Sequence, residues 1–265
     1  MRIASAGHAA FAVTMIALGI LGLVKGDFTV LWEPMPKSIP AREVLVYLSA
    51  LVALASGIGL LFRRTAALAA GGLFAFLVLW LLIWRTPDLF RLTLVEGTWS
   101  FGKTLIMTAA PWVLFTWFAT DWHRRRLGFI TGDRGLCIAR VLYGLGLIPF
   151  GLAHFLFPKQ TAVLVPGWLP GPMFWAYFTG GTFIAASVAI IIRIYPRLAA
   201  ALSALQMGLF GLLVWVPIVA TKTLTSFQWG EVVITVALTA AGWVVAGSYR
   251  DTPRLAVRGR SHILS

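Results

Sequence analysis

Charge is what this sequence has least of. Only 12% of its 265 residues are charged and nine of them are acidic, where a soluble domain carries about 25% charged residues. Most of the chain therefore lacks the polar surface that a water-soluble fold needs. Cysteine occurs once, as Cys137, which excludes an internal disulfide and any multi-cysteine metal or iron–sulfur site. Cys137 is expected to be inert, in a loop. Missing too are a phosphate-cradling glycine loop, a His-Glu-x-x-His pair and a Gly-x-Ser-x-Gly elbow, so a self-contained nucleotide enzyme or hydrolase is not expected.

What is present is apolar. Hydrophobic residues make up 59% of the chain, mean hydropathy is +0.87, and the apolar residues fall in long runs. A helix needs about 20 such residues to cross a bilayer. Eight stretches qualify: 6–24, 44–62, 65–84, 102–120, 139–157, 173–193, 197–217 and 231–248. The expected fold is thus an all-α integral membrane protein of about eight transmembrane helices. The first stretch resembles a secretory signal, but Arg2 alone is a thin basic region, and the stretch has a counterpart in the second half, so it is expected to stay.

The net charge of +13 does not point to nucleic acid, because the basic residues flank apolar runs instead of alternating with stacking aromatics. They report topology. With the N-terminus inside, the inner segments carry 14 lysines and arginines: Arg2, Arg63, Arg64, Arg124, Arg125, Arg126, Arg134, Arg140, Arg193, Arg197, Arg250, Arg254, Arg258 and Arg260. The outer segments carry eight: Lys25, Lys37, Arg42, Arg85, Arg91, Lys103, Lys159 and Lys222. The positive-inside rule then puts both termini in the cytoplasm. The longer connections, 25–43, 85–101, 158–172 and 218–230, fall outside, where function is expected to collect.

An internal repeat appears when the chain is slid by 130 residues. Pro36 and Pro40 fall on Pro166 and Pro170, Tyr47 on Tyr177, Ser49 on Thr179, Ala55 on Ala185 and Arg63 on Arg193. Small adjustments pair Trp80 with Trp215 and Gly102 with Gly230. The organisation read from this is a four-helix repeat over 1–120, a basic linker over 121–138, a second repeat over 139–249 and a basic tail over 250–265. An even number of spans per unit gives two four-helix bundles in parallel orientation, related by an axis along the membrane normal.

The second copy carries the more specific residues: Gly-Leu-Ala-His-Phe at 151–155, Val-Pro-Gly-Trp-Leu-Pro at 165–170, then Trp175, Tyr177, Thr179, Gly180 and Gly181. This pattern resembles the DoxX-like membrane family over residues 139–248. The first half is a divergent copy, with Gly19-Ile-Leu-Gly22 where the histidine segment would be. The resemblance implies four-helix membrane modules, some of them subunits of quinone-linked or other redox systems, in a bacterial-type inner membrane. Quinone is the cofactor it suggests, and a protein partner in a membrane complex would hold the redox centre.

Candidate catalytic residues follow from the cost of ionisable groups in a membrane. His154 could contact a quinone carbonyl or relay a proton, or tie its helix to the 166–170 loop. Glu231 and Lys103 sit at nearly equivalent places in the two copies and could pair; both could equally face headgroups. Glu96 is a weaker candidate. Trp99, Trp168, Trp175, Tyr177 and Trp229 gather at the expected outer surface, as interfacial anchors or as an aromatic cofactor pocket under the proline-rich loops. Pro111 and Pro217 are expected at helix ends or kinks, and Gly180, Gly181 and Ala185 at close helix contacts. The 123–126 run and the tail suit anionic lipid headgroups or plain anchoring. Three functions stay open: a membrane subunit of a redox system, a non-catalytic scaffold for a periplasmic protein, and a carrier of a small hydrophobic molecule.

Overall fold

The computed structural model describes residues 5–220 and 225–253. Arg2, Lys222, Arg254, Arg258, Arg260 and His262 lie outside the described residues. The described residues are helices and connections only, in the order α1 Ala6–Lys25, α2 Arg42–Leu61, α3 Ala66–Trp80, α4 Thr86–Arg91, α5 Leu94–Phe118, α6 Asp121–Arg126, α7 Gly128–Thr131, α8 Asp133–Leu156, α9 Pro158–Val163, α10 Pro172–Ile192, α11 Pro196–Phe210, α12 Val216–Ala220 and α13 Ser226–Gly247. A π-helical turn, Leu81–Arg85, joins α3 to α4, and another, Gly211–Trp215, joins α11 to α12.

Local chemistry sets the helix limits. The Ser5 side chain caps α1, and Gly26 ends it in the left-handed region at φ 64°, a conformation glycine adopts without steric cost. Thr93 caps α5 with Glu96 in the same turn, and Thr225 with Gln228 forms a capping box on α13. Pro172 and Pro196 open α10 and α11, where a missing N–H costs nothing.

Seven helical segments are long and apolar enough to cross a membrane: Ala6–Lys25, Arg42–Leu61, Ala66–Arg91, Asp133–Leu156, Pro172–Ile192, Pro196–Ala220 and Gln228–Gly247. The protein is therefore a multi-pass helical membrane protein. The remaining long helix, α5, is less apolar because it is surrounded by protein. Its residues Gly102–Thr116 are all buried, packed by α3, α8 and α13. A helix without a lipid-facing side can carry Lys103, Thr104 and Thr108 inward.

The long helices form a closed ring in chain order. Each of α1, α2, α3, α5, α8, α10, α11 and α13 packs on the next, α13 returns to α1, and α5 meets α13 across the middle. Glycines let backbones approach: a Cβ at Gly19 would lie 2.5 Å from Leu54 N, and one at Gly151 would lie 2.9 Å from Gly180 O. Of the small residues expected at contacts, Gly180 is one, with His154 Cβ 2.7 Å from where its own Cβ would be. Gly181 has nothing within 4 Å and Ala185 is exposed. They face outward.

Several boundaries differ from the sequence reading. The 121–138 linker holds α6 and α7, and α8 starts at Asp133, inside it. Helix α5 begins at Leu94 and runs through Pro111 without ending. Pro217 likewise lies within a continuous helical segment, just past a π turn. The helix limits of α2, α3 and the first π turn recur 130 residues later in α10, α11 and the second π turn. At that spacing Arg85 and Trp215 each hold the last position of a π turn.

Candidate functional site

The strongest concentration of buried polarity lies where the connection between α1 and α2 folds into the ring. Phe28, Thr29, Leu31 and Trp32 of this connection are all buried. A buried backbone segment must find hydrogen-bond partners, and here two cations supply them. Arg85 is 0% exposed. It donates from Nη2 to Trp32 O and from Nη1 to Pro34 O at 2.9 Å and to Asp88 Oδ2 at 2.6 Å. Lys103, 4% exposed, donates from Nζ to Val30 O at 2.5 Å and to Glu33 O at 2.9 Å. Four carbonyls of one five-residue stretch are thus held by α5 and by the turn after α3.

Aromatic rings complete the plug. Trp32 meets Phe76 and Trp80 with centroids 5.4 and 5.1 Å away, and Phe28 meets Trp80 at 5.8 Å. Trp32 Nε1, Trp80 Nε1, Arg85 Nε and Thr29 Oγ1 are buried with no hydrogen-bond partner among the described residues. At the mouth of the loop, Arg42 Nη2 binds Asp27 Oδ1 at 2.6 Å and lies over the Phe28 ring. Partial burial pushes the Asp27 carboxyl up, but its hydrogen bonds from Arg42 and from Phe28 N outweigh that and hold it below its ordinary value.

The residues expected to carry chemistry are distributed differently. Lys103 is engaged with the loop instead of with Glu231. Glu231, half-buried on α13, is near enough to interact with the lysine's charge, yet the ion pairs among the described residues do not include it. Val30 of the connection packs against α13 here, 3.0 Å from where a Cβ on Gly230 would be. His154 points back along its own helix, with Nδ1 2.7 Å from Phe150 O and its ring 5.8 Å from that of Phe183. Among the described contacts none joins it to Lys103 or Glu231. Glu96 is an exposed capping residue.

The members of the aromatic set differ in burial. Trp168, Tyr177 and Trp229 are 70%, 44% and 51% exposed. Trp175 is half-buried and donates from Nε1 to Pro170 O at 3.1 Å, and Trp99 packs on Phe150 at 4.3 Å. Two concavities open at the opposite end of the bundle, around the start of α8 and the end of α13. No group of three or more histidine, cysteine, aspartate or glutamate side chains suited to a metal occurs among the described residues.

Arg85 is the residue that sequence reasoning missed, having been counted as a loop charge. Its signal was the run Leu81-Leu-Ile-Trp-Arg85 with Asp88 three residues on, a cation ending an apolar run with its partner one turn away. Comparison with protein-family models, curated proteins and solved structures finds no match for the chain.

Proposed function

We propose that the protein is a non-catalytic membrane component: two DoxX-like four-helix units, eight spans in all, with both termini in the cytoplasm, serving as a scaffold for an extracytoplasmic protein partner. The observation that carries this reading is the use made of the buried cations. Arg85 and Lys103 spend their donors on backbone carbonyls of the α1–α2 connection, which closes one half of the outer end instead of opening a reaction site there. Any redox chemistry would depend on a partner that holds the redox centre. The duplication is supported by the 130-residue recurrence of α2, α3 and the π turn, and by the left-handed residues Ala41 and Gly171 that precede α2 and α10.

The other half supplies the docking surface. Between Leu152 and Trp175 no residue is buried; the connection carrying α9 and Trp168 rests against α10 at the surface, whereas the α1–α2 connection is tucked in. In an inner membrane that surface faces the periplasm under the positive-inside rule.

Gentle purification from the native membrane, with mass spectrometry of copurifying proteins and extractable lipids, tests this beside His154→Ala. The expected result is one partner at fixed stoichiometry, retained equally by both proteins. A quinone retained by the wild type and lost in His154→Ala would replace the scaffold with a redox subunit whose site lies at His154.

A further inference from the structure

The end of the bundle away from the buried loop holds a cleft of about 690 Å³ between α8, the α10–α11 turn and the residues after α13. Three arginines and one aspartate line it: Arg134, Arg140, Arg193 and Asp133. Arg140 is fixed, its guanidinium 3.9 Å over the Tyr249 ring, with Nε donating to Ser248 Oγ at 2.9 Å and Nη2 to Ser248 O. Arg193 and Arg134 are exposed at the rim, and Arg193 Nη2 reaches Cys137 Sγ at 2.5 Å. The remaining wall is mostly apolar, with Val141, Ile190 and Pro196 beside Thr252.

Two further features bear on the ligand such a cleft takes. Arg193 ends α10 in the left-handed conformation at φ 62°, with Ile194 N bonded back to Ala189 O at 3.0 Å. Glycine fills this position without steric cost; an arginine here accepts strain in exchange for a charge at the cleft. The cleft also sits where the apolar segment Asp133–Leu156 begins and Pro172–Ile192 ends, which is headgroup depth. Below it, Leu145, Val188 and Ile192 present exposed apolar side chains.

We propose that this cleft binds the phosphate of an anionic phospholipid, with Arg193, Arg134 and Arg140 facing the headgroup and the acyl chains lying along the exposed side of α8 and α10. The inference depends on these helices spanning the membrane and not on the docking role proposed above. Arginines suit a phosphate because their donors match its oxygens in pairs, and the apolar wall distinguishes a lipid from a soluble anion.

Cys137 lines the cleft and is the chain's one cysteine, so its labelling rate by a maleimide reads occupancy. The full chain in neutral detergent is titrated with phosphatidylglycerol, phosphatidylcholine or inorganic phosphate. Phosphatidylglycerol is expected to slow labelling and the other two to leave it unchanged. Within each variant's own titration, Arg193→Gly and Arg134→Gln each raise the half-protecting concentration about fivefold. Arg193→Gly does so without lowering the melting temperature, since glycine is at home in that conformation. Arg91→Gln, exposed on α4 and outside the cleft, leaves the titration in place. Equal protection by phosphatidylcholine or phosphate, an Arg91→Gln effect as large as that of Arg193→Gly, or unchanged titrations in both cleft variants would each overturn the assignment.

Discussion

Arg85 and Lys103 do similar work under different electrostatic conditions, and that difference can be measured. Arg85→Met leaves Trp32 O and Pro34 O without donors and strands the Asp88 carboxylate, whose side chain is only 14% exposed. Removing one member of a buried ion pair costs about 3–5 kcal/mol. Lys103→Met also leaves two carbonyls unpaired, at about 1–3 kcal/mol for each lost partner, but it removes a desolvated cation that has no contacting carboxylate, which offsets part of the loss. Arg85→Met is therefore expected to lower the melting temperature in detergent more than Lys103→Met, and both should expose the 26–41 connection to protease. A larger effect from Lys103→Met would mean that its attraction to Glu231 outweighs its hydrogen bonds to the loop. Neither role was legible from the chain: a lone lysine beside a glutamate-bearing counterpart suggests a pair, whereas the carbonyls that occupy it come from residues 70 and 73 positions away.

The helical elements were legible because apolar runs of span length have few alternatives, and the shift inside two of them was not. Along α3 the buried stripe runs Ala66, Ala70, Leu73, Leu77, Trp80; helical spacing continues it to Trp84. The π turn slips the stripe by one residue, so Arg85 is buried while Trp84 is not fully so. The second π turn puts Trp215 inward in the same way, with its Nε1 3.1 Å from Thr235 Oγ1. Proline lies two residues beyond each turn, as Pro87 and Pro217, and a proline ring clashes with the carbonyl four residues before it, which the wider turn relieves. Deleting exposed Leu82 would restore α-helical spacing and rotate the downstream residues by about 100°. The deletion is expected to destabilise the protein as much as Arg85→Met, by taking the guanidinium off Trp32 O. Deleting Leu212 in the second turn should cost less, since only the Trp215–Thr235 hydrogen bond is at stake. Equal melting temperatures for the two deletions would show that the π turns serve proline alone and do not position Arg85.

The two sequence halves meet where α5 packs on α8 and α1 on α13, and both contacts are close-packed. A Cβ on Gly146 would lie 2.9 Å from Gly102 O and 2.7 Å from Ile106 Cγ1, and one on Gly7 would lie 2.7 Å from the Trp243 carbonyl carbon. Without water to drive association, helices in lipid join through such packing and through hydrogen bonds. Each half alone would present a bare α5 or α13 flank, and the Lys103-held connection would lose the α13 surface that Val30 packs against. The halves are therefore expected to need each other while not needing the covalent link, because α6 and α7 of the linker are short and largely exposed. Residues 1–127 and 128–265 expressed together as separate chains should copurify and melt as one species, and either alone should aggregate. Adding Gly146→Leu to the second fragment should abolish copurification by wedging α8 off α5. Copurification that survives this substitution would put the binding energy at α1 and α13 instead, while two fragments that fold separately would make the ring a loose pairing of independent bundles.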